Sequence, residues 1–153
     1  MKQAHWYQAA HDELSRLAAA AQHRDTLSLS AVSQLADQLT EALQQGDHLV
    51  TQALSGPPGP PLITNLVNAG IVSTKVGMGL GYYGTDLHRL AMAGLVHDIG
   101  IFSIPPSIVQ KTGPLTPEER VLIEEHPRLG AESIRGAGDC YAWLADVVLQ
   151  AHE

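Results

Sequence analysis

Four residues of this chain have the types and the spacing to bind a divalent metal: the adjacent pair His97 and Asp98, then His126, then His152. Imidazole and carboxylate are poor packing material, yet each falls on what the pattern reads as the apolar face of a helix. Nitrogen and oxygen donors turned inward by separate helices are the usual way for a helical protein to build a metal centre. Adjacent side chains on a helix diverge by about a hundred degrees. His97 and Asp98 would therefore address different sides of the centre, with Asp98 placed to bridge two ions. Such a site makes hydroxide at neutral pH and neutralises a phosphoryl oxygen, the core of metal-assisted phosphodiester cleavage. Asp98 and His97 are the candidate catalytic residues, and all four are candidate ligands. Singly, each has a plainer use: His97 as a partner of Asp98, His126 as a cap before Pro127, His152 as a solvated side chain. Their shared inward placement on separate helices favours the metal. His5, His11, His23, His48 and His88 have no such company and are expected on the surface.

The elements that must carry these residues read as helices. Leu14, Leu17, Ala18 and Ala21 fall at helical spacing, predicting a first helix over most of residues 3–23. Ser28 or Ser30 can cap a second, running through Val32, Leu35, Leu39 and Leu43 to Leu54, with Gly46 as the point where it kinks or splits. The run Ser55-Gly56-Pro57-Pro58-Gly59-Pro60-Pro61 is read as a linker. It divides an N-terminal helical segment, residues 1–55, from a motif-bearing domain, residues 62–153, with the linker itself at 56–61. A helix over residues 62–80 ends in Gly77-Met78-Gly79-Leu80-Gly81, which resembles a dinucleotide loop. No strand precedes it and no acidic residue closes it, so a close helix crossing followed by a glycine cap is the better reading.

Asp86, Leu87, Leu90, Ala91, Gly94 and Leu95 define a further helix whose buried stripe is predicted to continue onto Asp98, with Gly100 ending it. Thr116-Pro117-Glu118-Glu119 has the form of a capping box with proline at the first helical position. The helix it opens carries Leu122, Ile123 and His126 on one face, with a bend expected at Pro127. Leu144, Val147, Val148 and Ala151 mark the last helix, with His152 one turn beyond Val148. No segment alternates as a strand, so the fold class is all-α, a helical bundle.

The whole chain narrows the function classes. A length of 153 residues and a hydrophobic fraction of 44% suit a domain with a real core. A net charge of -7 argues against binding a nucleic-acid polymer or an anionic membrane, while leaving room for a small phosphorylated ligand at a metal cluster. The single cysteine, Cys140, permits no internal disulfide, and no secretory signal or transmembrane run is visible, so a cytoplasmic setting is expected.

The stretch Ala93-Gly94-Leu95-Val96-His97-Asp98-Ile99-Gly100, followed in order by Ile104-Pro105, Ile108, Lys111, Gly113, Leu115-Thr116, Glu119 and His126-Pro127 with Gly130, resembles the HD-GYP family. That family consists of HD-superfamily phosphodiesterases that hydrolyse cyclic di-GMP with two or three metals, commonly iron or manganese. The resemblance covers residues 62–153 and implies an α-helical bundle of the HD-domain type. It implies that His97, Asp98, His126 and His152 are metal ligands and makes Lys111 a candidate phosphate contact. It also exposes departures. Asn65 stands near the place of the family's first histidine, Ile101 replaces a lysine, and Ala151 replaces the first of two paired histidines.

The sequence ends before the family's Gly-Tyr-Pro segment, so the domain is expected to be C-terminally incomplete and its activity impaired, with no metal bound as one outcome. The resemblance thus implies a phosphodiesterase-type domain for cyclic di-GMP or a related nucleotide. The competing readings are a non-catalytic signalling module that keeps the helices and a fragment of a longer product. An incomplete bundle is further expected to expose apolar surface, favouring a homodimer through that surface or the N-terminal helices.

Overall fold

In the computed structural model, which describes residues 2–56 and 59–153 with side chains from residue 5 onward, every regular element is helical. The described residues form two compact units: Met1–Arg16 with Leu29–Val96, and Leu17–Ser28 with His97–Glu153. The Pro/Gly stretch expected as a linker adjoins helices of the first unit, and its Pro57 and Pro58 lie outside the described residues.

The first unit is built from most of α1 (Lys2–His23), α2 (Ser30–Gln45), α3 (His48–Leu54), α4 (Pro61–Gly79) and α5 (Gly84–Val96). The long second helix does split at Gly46, whose extended backbone cannot continue the α-helix. Val32, Leu35, Ala36, Leu39 and Leu43 form the buried stripe of α2, at the 3.6-residue period the sequence shows. Trp6 donates its indole N–H to the Leu35 carbonyl at 2.9 Å, satisfying its polar edge inside the core. Helices α4 and α5 cross closely: a side chain on Gly70 would strike Leu95, and one on Gly94 would strike Gly70. Gly77 in turn lies against Leu90, and Gly81 takes a left-handed φ of 87° just past the end of α4. The glycine-rich run is therefore helix crossing and cap.

The second unit holds the 3-10 turn Ile99–Ser103, then α6 (Pro106–Val109), α7 (Pro117–Glu124), α8 (His126–Gly136), a short turn Asp139–Tyr141 and α9 (Ala142–Gln150). Its core is Ile99, Ile104, Ala131, Ile134, Leu144, Ala145 and Val148, joined by Leu17, Ala18, Ala21 and Leu27. Thr116 caps α7 through the full capping box, accepting from the Glu119 N–H while the Glu119 carboxylate accepts from the Thr116 N–H. Among the described residues, no helix is long and apolar enough to cross a membrane.

One expectation is corrected. The helix carrying Leu87 and Leu95 stops at Val96 and does not run through Asp98. His97 and Asp98 occupy the turn after it, and the chain tightens at once into the 3-10 turn Ile99–Ser103. The reason is tertiary: Gly100 sits with its Cα against the His126 carbonyl and the Gly130 backbone, and only a chain without a side chain fits there.

Candidate metal centre

All four proposed ligands lie at helix ends. His97 and Asp98 form the turn before Ile99, His126 is the first residue of α8, and His152 lies in the turn just after α9. The Gly100–Gly130 approach draws the 3-10 turn against α8, and Gly130 also meets Val148 of α9. These two contacts bring the three donor-bearing ends together.

Asp98 is the centre of the arrangement. Its Oδ1 lies 2.6 Å from His152 Nε2 and 3.3 Å from His126 Nε2, and its Oδ2 lies 3.2 Å from His97 Nε2. Donor atoms of Asp98, His126 and His152 all fall within 4.8 Å of one another, the separation expected of ligands sharing one ion. His97 stands on the other carboxylate oxygen, its ring centroid 6.3 Å from that of His152. Burial pushes the Asp98 carboxyl up, but the hydrogen bonds and positive charge of His97 and His152 outweigh it. They hold the carboxyl well below the usual range, so it is an anion at neutral pH.

The histidine at the start of α8 is held in a form suited to metal. Its Nδ1 lies 2.7 Å from the Ile123 carbonyl, which can only accept, so the hydrogen sits on Nδ1 and the lone pair on Nε2. That Nε2 is buried and without a hydrogen-bond partner, although it faces the Asp98 carboxylate. Two lone pairs facing each other inside a protein repel, and a cation between them removes the conflict. An imidazole oriented by a backbone carbonyl through its other nitrogen is also the common outer-shell pattern of metal-bound histidine. The donor set of imidazoles and one carboxylate therefore fits a divalent transition metal.

The remaining predicted residues fall elsewhere. Lys111 is ion-paired with the capping carboxylate of Glu119 at 2.6 Å. Asn65 is exposed on α4, Ala151 is exposed in the turn after α9, and Ile101 is half-buried in the 3-10 turn. Of the histidines expected on the surface, His5, His23 and His48 are exposed, whereas His11 and His88 are half-buried. Helix packing around them overrides their lack of sequence company. The Ile123 carbonyl was missed as an orienting group, though a signal for it exists. In an unbroken helix that carbonyl would accept the N–H of residue 127; proline has none, which leaves it for His126.

Comparison with known proteins agrees with this geometry. Residues 60–153 match the family described as HD domain. Over 86 residues the chain is 31% identical to the cyclic di-GMP phosphodiesterase response regulator RpfG of Xanthomonas campestris pv. campestris, covering 56% of this chain and 22% of that protein. It is 40% identical over 67 residues to a cyclic di-GMP phosphodiesterase of Pseudomonas aeruginosa, covering 44% of this chain and 16% of the relative. A cyclic di-GMP phosphodiesterase of Vibrio cholerae is 36% identical over 64 residues, 38% of this chain and 13% of that one. The aligned part thus spans less than a quarter of each relative's length. No solved structure gives a significant match. With the His97-Asp98 pair at the centre of a histidine cluster and the match extending from residue 60 to residue 153, the chain belongs to the HD domain family and is of its HD-GYP type.

Proposed function

We propose that this chain is a metal-dependent phosphodiesterase-type domain for cyclic di-GMP or a related nucleotide, with Asp98, His126, His152 and His97 holding iron or manganese. The observation that carries the reading is the buried, unpartnered Nε2 of His126 facing Asp98 Oδ1, with Nδ1 fixed on Ile123. The named activity of the relatives supports the substrate class.

When bound, such a metal activates water and withdraws charge from a phosphoryl oxygen. The chain's own residues do the rest. Asp98 Oδ1 faces His126 and His152 while Oδ2 faces His97, so the carboxylate would hold metal together with these imidazoles. The Oδ1 side has two imidazoles, the Oδ2 side one. With Asn65 and Ala151 supplying no imidazole, the chain would hold metal less firmly and turn over slowly. Lys111 reaches a substrate phosphate by exchanging its exposed pair with Glu119, a pair that solvent screens.

Elemental analysis of the purified chain beside the double variant His97→Ala/Asp98→Ala tests the metal. Near-stoichiometric iron or manganese in the parent, lost in the variant, is expected; no metal in either after reconstitution sinks the reading. Chromatography of cyclic di-GMP incubations then tests the substrate. Ile101, where the family has a lysine, favours a second reading in which the domain binds nucleotide without cleaving it. Saturable binding with no linear product would select that alternative.

A further inference from the structure

A second row of reactive side chains lies within the first unit, between α2 and α5. His88 of α5 places Nδ1 2.7 Å from Asp37 Oδ1 and Nε2 3.3 Å from Ser33 Oγ, both on α2 and one helical turn apart. An ionised carboxylate can only accept, so Nδ1 carries the hydrogen and Nε2 keeps its lone pair toward the serine hydroxyl. Ser33 then donates to a nitrogen able to take its proton, and Asp37 fixes the tautomer that makes this so.

The hydroxyl of Ser33 differs from those of six other serines and threonines. Ser15, Thr40, Thr51, Ser73, Thr74 and Ser133 all donate back to a carbonyl one turn earlier in or at their own helix. Ser33 reaches across to an imidazole instead. The row is reachable: Ser33 and His88 are half-buried, Asp37 is exposed, and an open cleft bounded by Thr40, Gln44, Gly84 and Thr85 lies beside Asp37 and His88.

We propose that Ser33 is a nucleophile that accepts acyl groups from small activated esters, with His88 its general base and Asp37 a positioning residue. Ser33 Oγ forms a bond to the acyl carbon as its proton passes to His88 Nε2. The bond from that carbon to the ester oxygen breaks, and the proton leaves with the departing alcohol. Water then adds to the Ser33 ester, giving its proton to the same nitrogen, and the acid is released as Ser33 regains its hydrogen. No metal or redox partner takes part, which separates this site from the histidine–aspartate centre.

The test uses the full chain carrying Cys140→Ser, which removes the exposed thiol as a competing nucleophile. The protein is incubated with p-nitrophenyl acetate in excess EDTA, and acetyl occupancy at each serine is read by peptide mass mapping. Acetylation of Ser33 well ahead of the exposed Ser28, Ser30 and Ser55 is expected, a comparison that needs no further variant. His88→Gln should slow Ser33 acetylation about 10²-fold, the low end of general-base assistance. Asp37→Asn should slow Ser33 acetylation in a protein with an unchanged melting temperature, and Asp37→Glu should restore it; a merely structural tie would change the melt and leave the rate in place. Equal occupancy at all exposed serines, or an unchanged Ser33 rate in a folded His88→Gln protein, overturns the proposal.

Discussion

Gly100 and Gly130 bring their backbones into direct contact, and a single methyl group on Gly100 would overlap the His126 carbonyl and the Gly130 amide. The candidate ligands Asp98 and His126 are thereby brought within 3.3 Å of each other by two residues that carry no chemistry. Gly100→Ala should cost about 1–3 kcal/mol of stability as the contact is forced apart. It should also lower metal content more than a surface Gly113→Ala, which meets nothing within 4 Å. Thermal melts with elemental analysis check both.

Pro127 acts on the metal centre without touching it. Pro127→Ala restores an N–H that competes for the Ile123 carbonyl and releases the His126 ring from its fixed tautomer. Metal affinity should fall roughly 10–100-fold, the usual effect of losing an outer-shell partner, while the melting temperature of the metal-free protein holds or rises. Competition titration against a metal indicator, beside the melt, separates the two effects. Unchanged affinity would show that the carbonyl contact does not orient the ligand.

The metal-free protein should lose stability in acid through Asp98. Its folded carboxyl lies below the ordinary 3.8, so the unfolded chain binds the extra proton first. The stabilisation is complete above that ordinary value and drains away as pH falls through it toward the lower folded value. Denaturant titrations between pH 6 and pH 2.5 should therefore show a steeper decline for the parent than for Asp98→Asn. Parallel curves would contradict the assignment.

Thr116→Ala removes the hydroxyl that accepts from the Glu119 N–H and should cost about 1 kcal/mol. The Glu119 carboxylate keeps both of its donors, Lys111 and the backbone N–H of residue 116. The loss should be read as faster exchange of the Glu119 amide at the start of α7 alongside the lower melting point.

Helical character was legible because the apolar positions of α2 repeat at the helical period and Thr116, Pro117 and Glu119 together announce a start. The candidate ligands could be picked out too, since histidine and aspartate within an apolar pattern have few other uses, and the fold brings His97, His126 and His152 against Asp98. What could not be read was the stop at Val96. Local propensity favours carrying the helix onward, and only the contact of Gly100 with α8 forces the tighter turn. His88 was hidden for a related reason. Its partners lie 51 and 55 residues away, on a helix that becomes its neighbour only once the fold exists.

His152 lies in the turn after α9 with nearly half of its side chain exposed, and its ring hydrogen-bonds to Asp98. Terminal helical turns open far more often than the core around them. One ligand of the centre can thus swing away while Asp98 and His126 stay in place, with no need to unfold the unit. In the proposed metal centre, the speed with which an ion arrives or leaves would be set by the opening of a single turn, while the depth of the well would be set by the pair behind it.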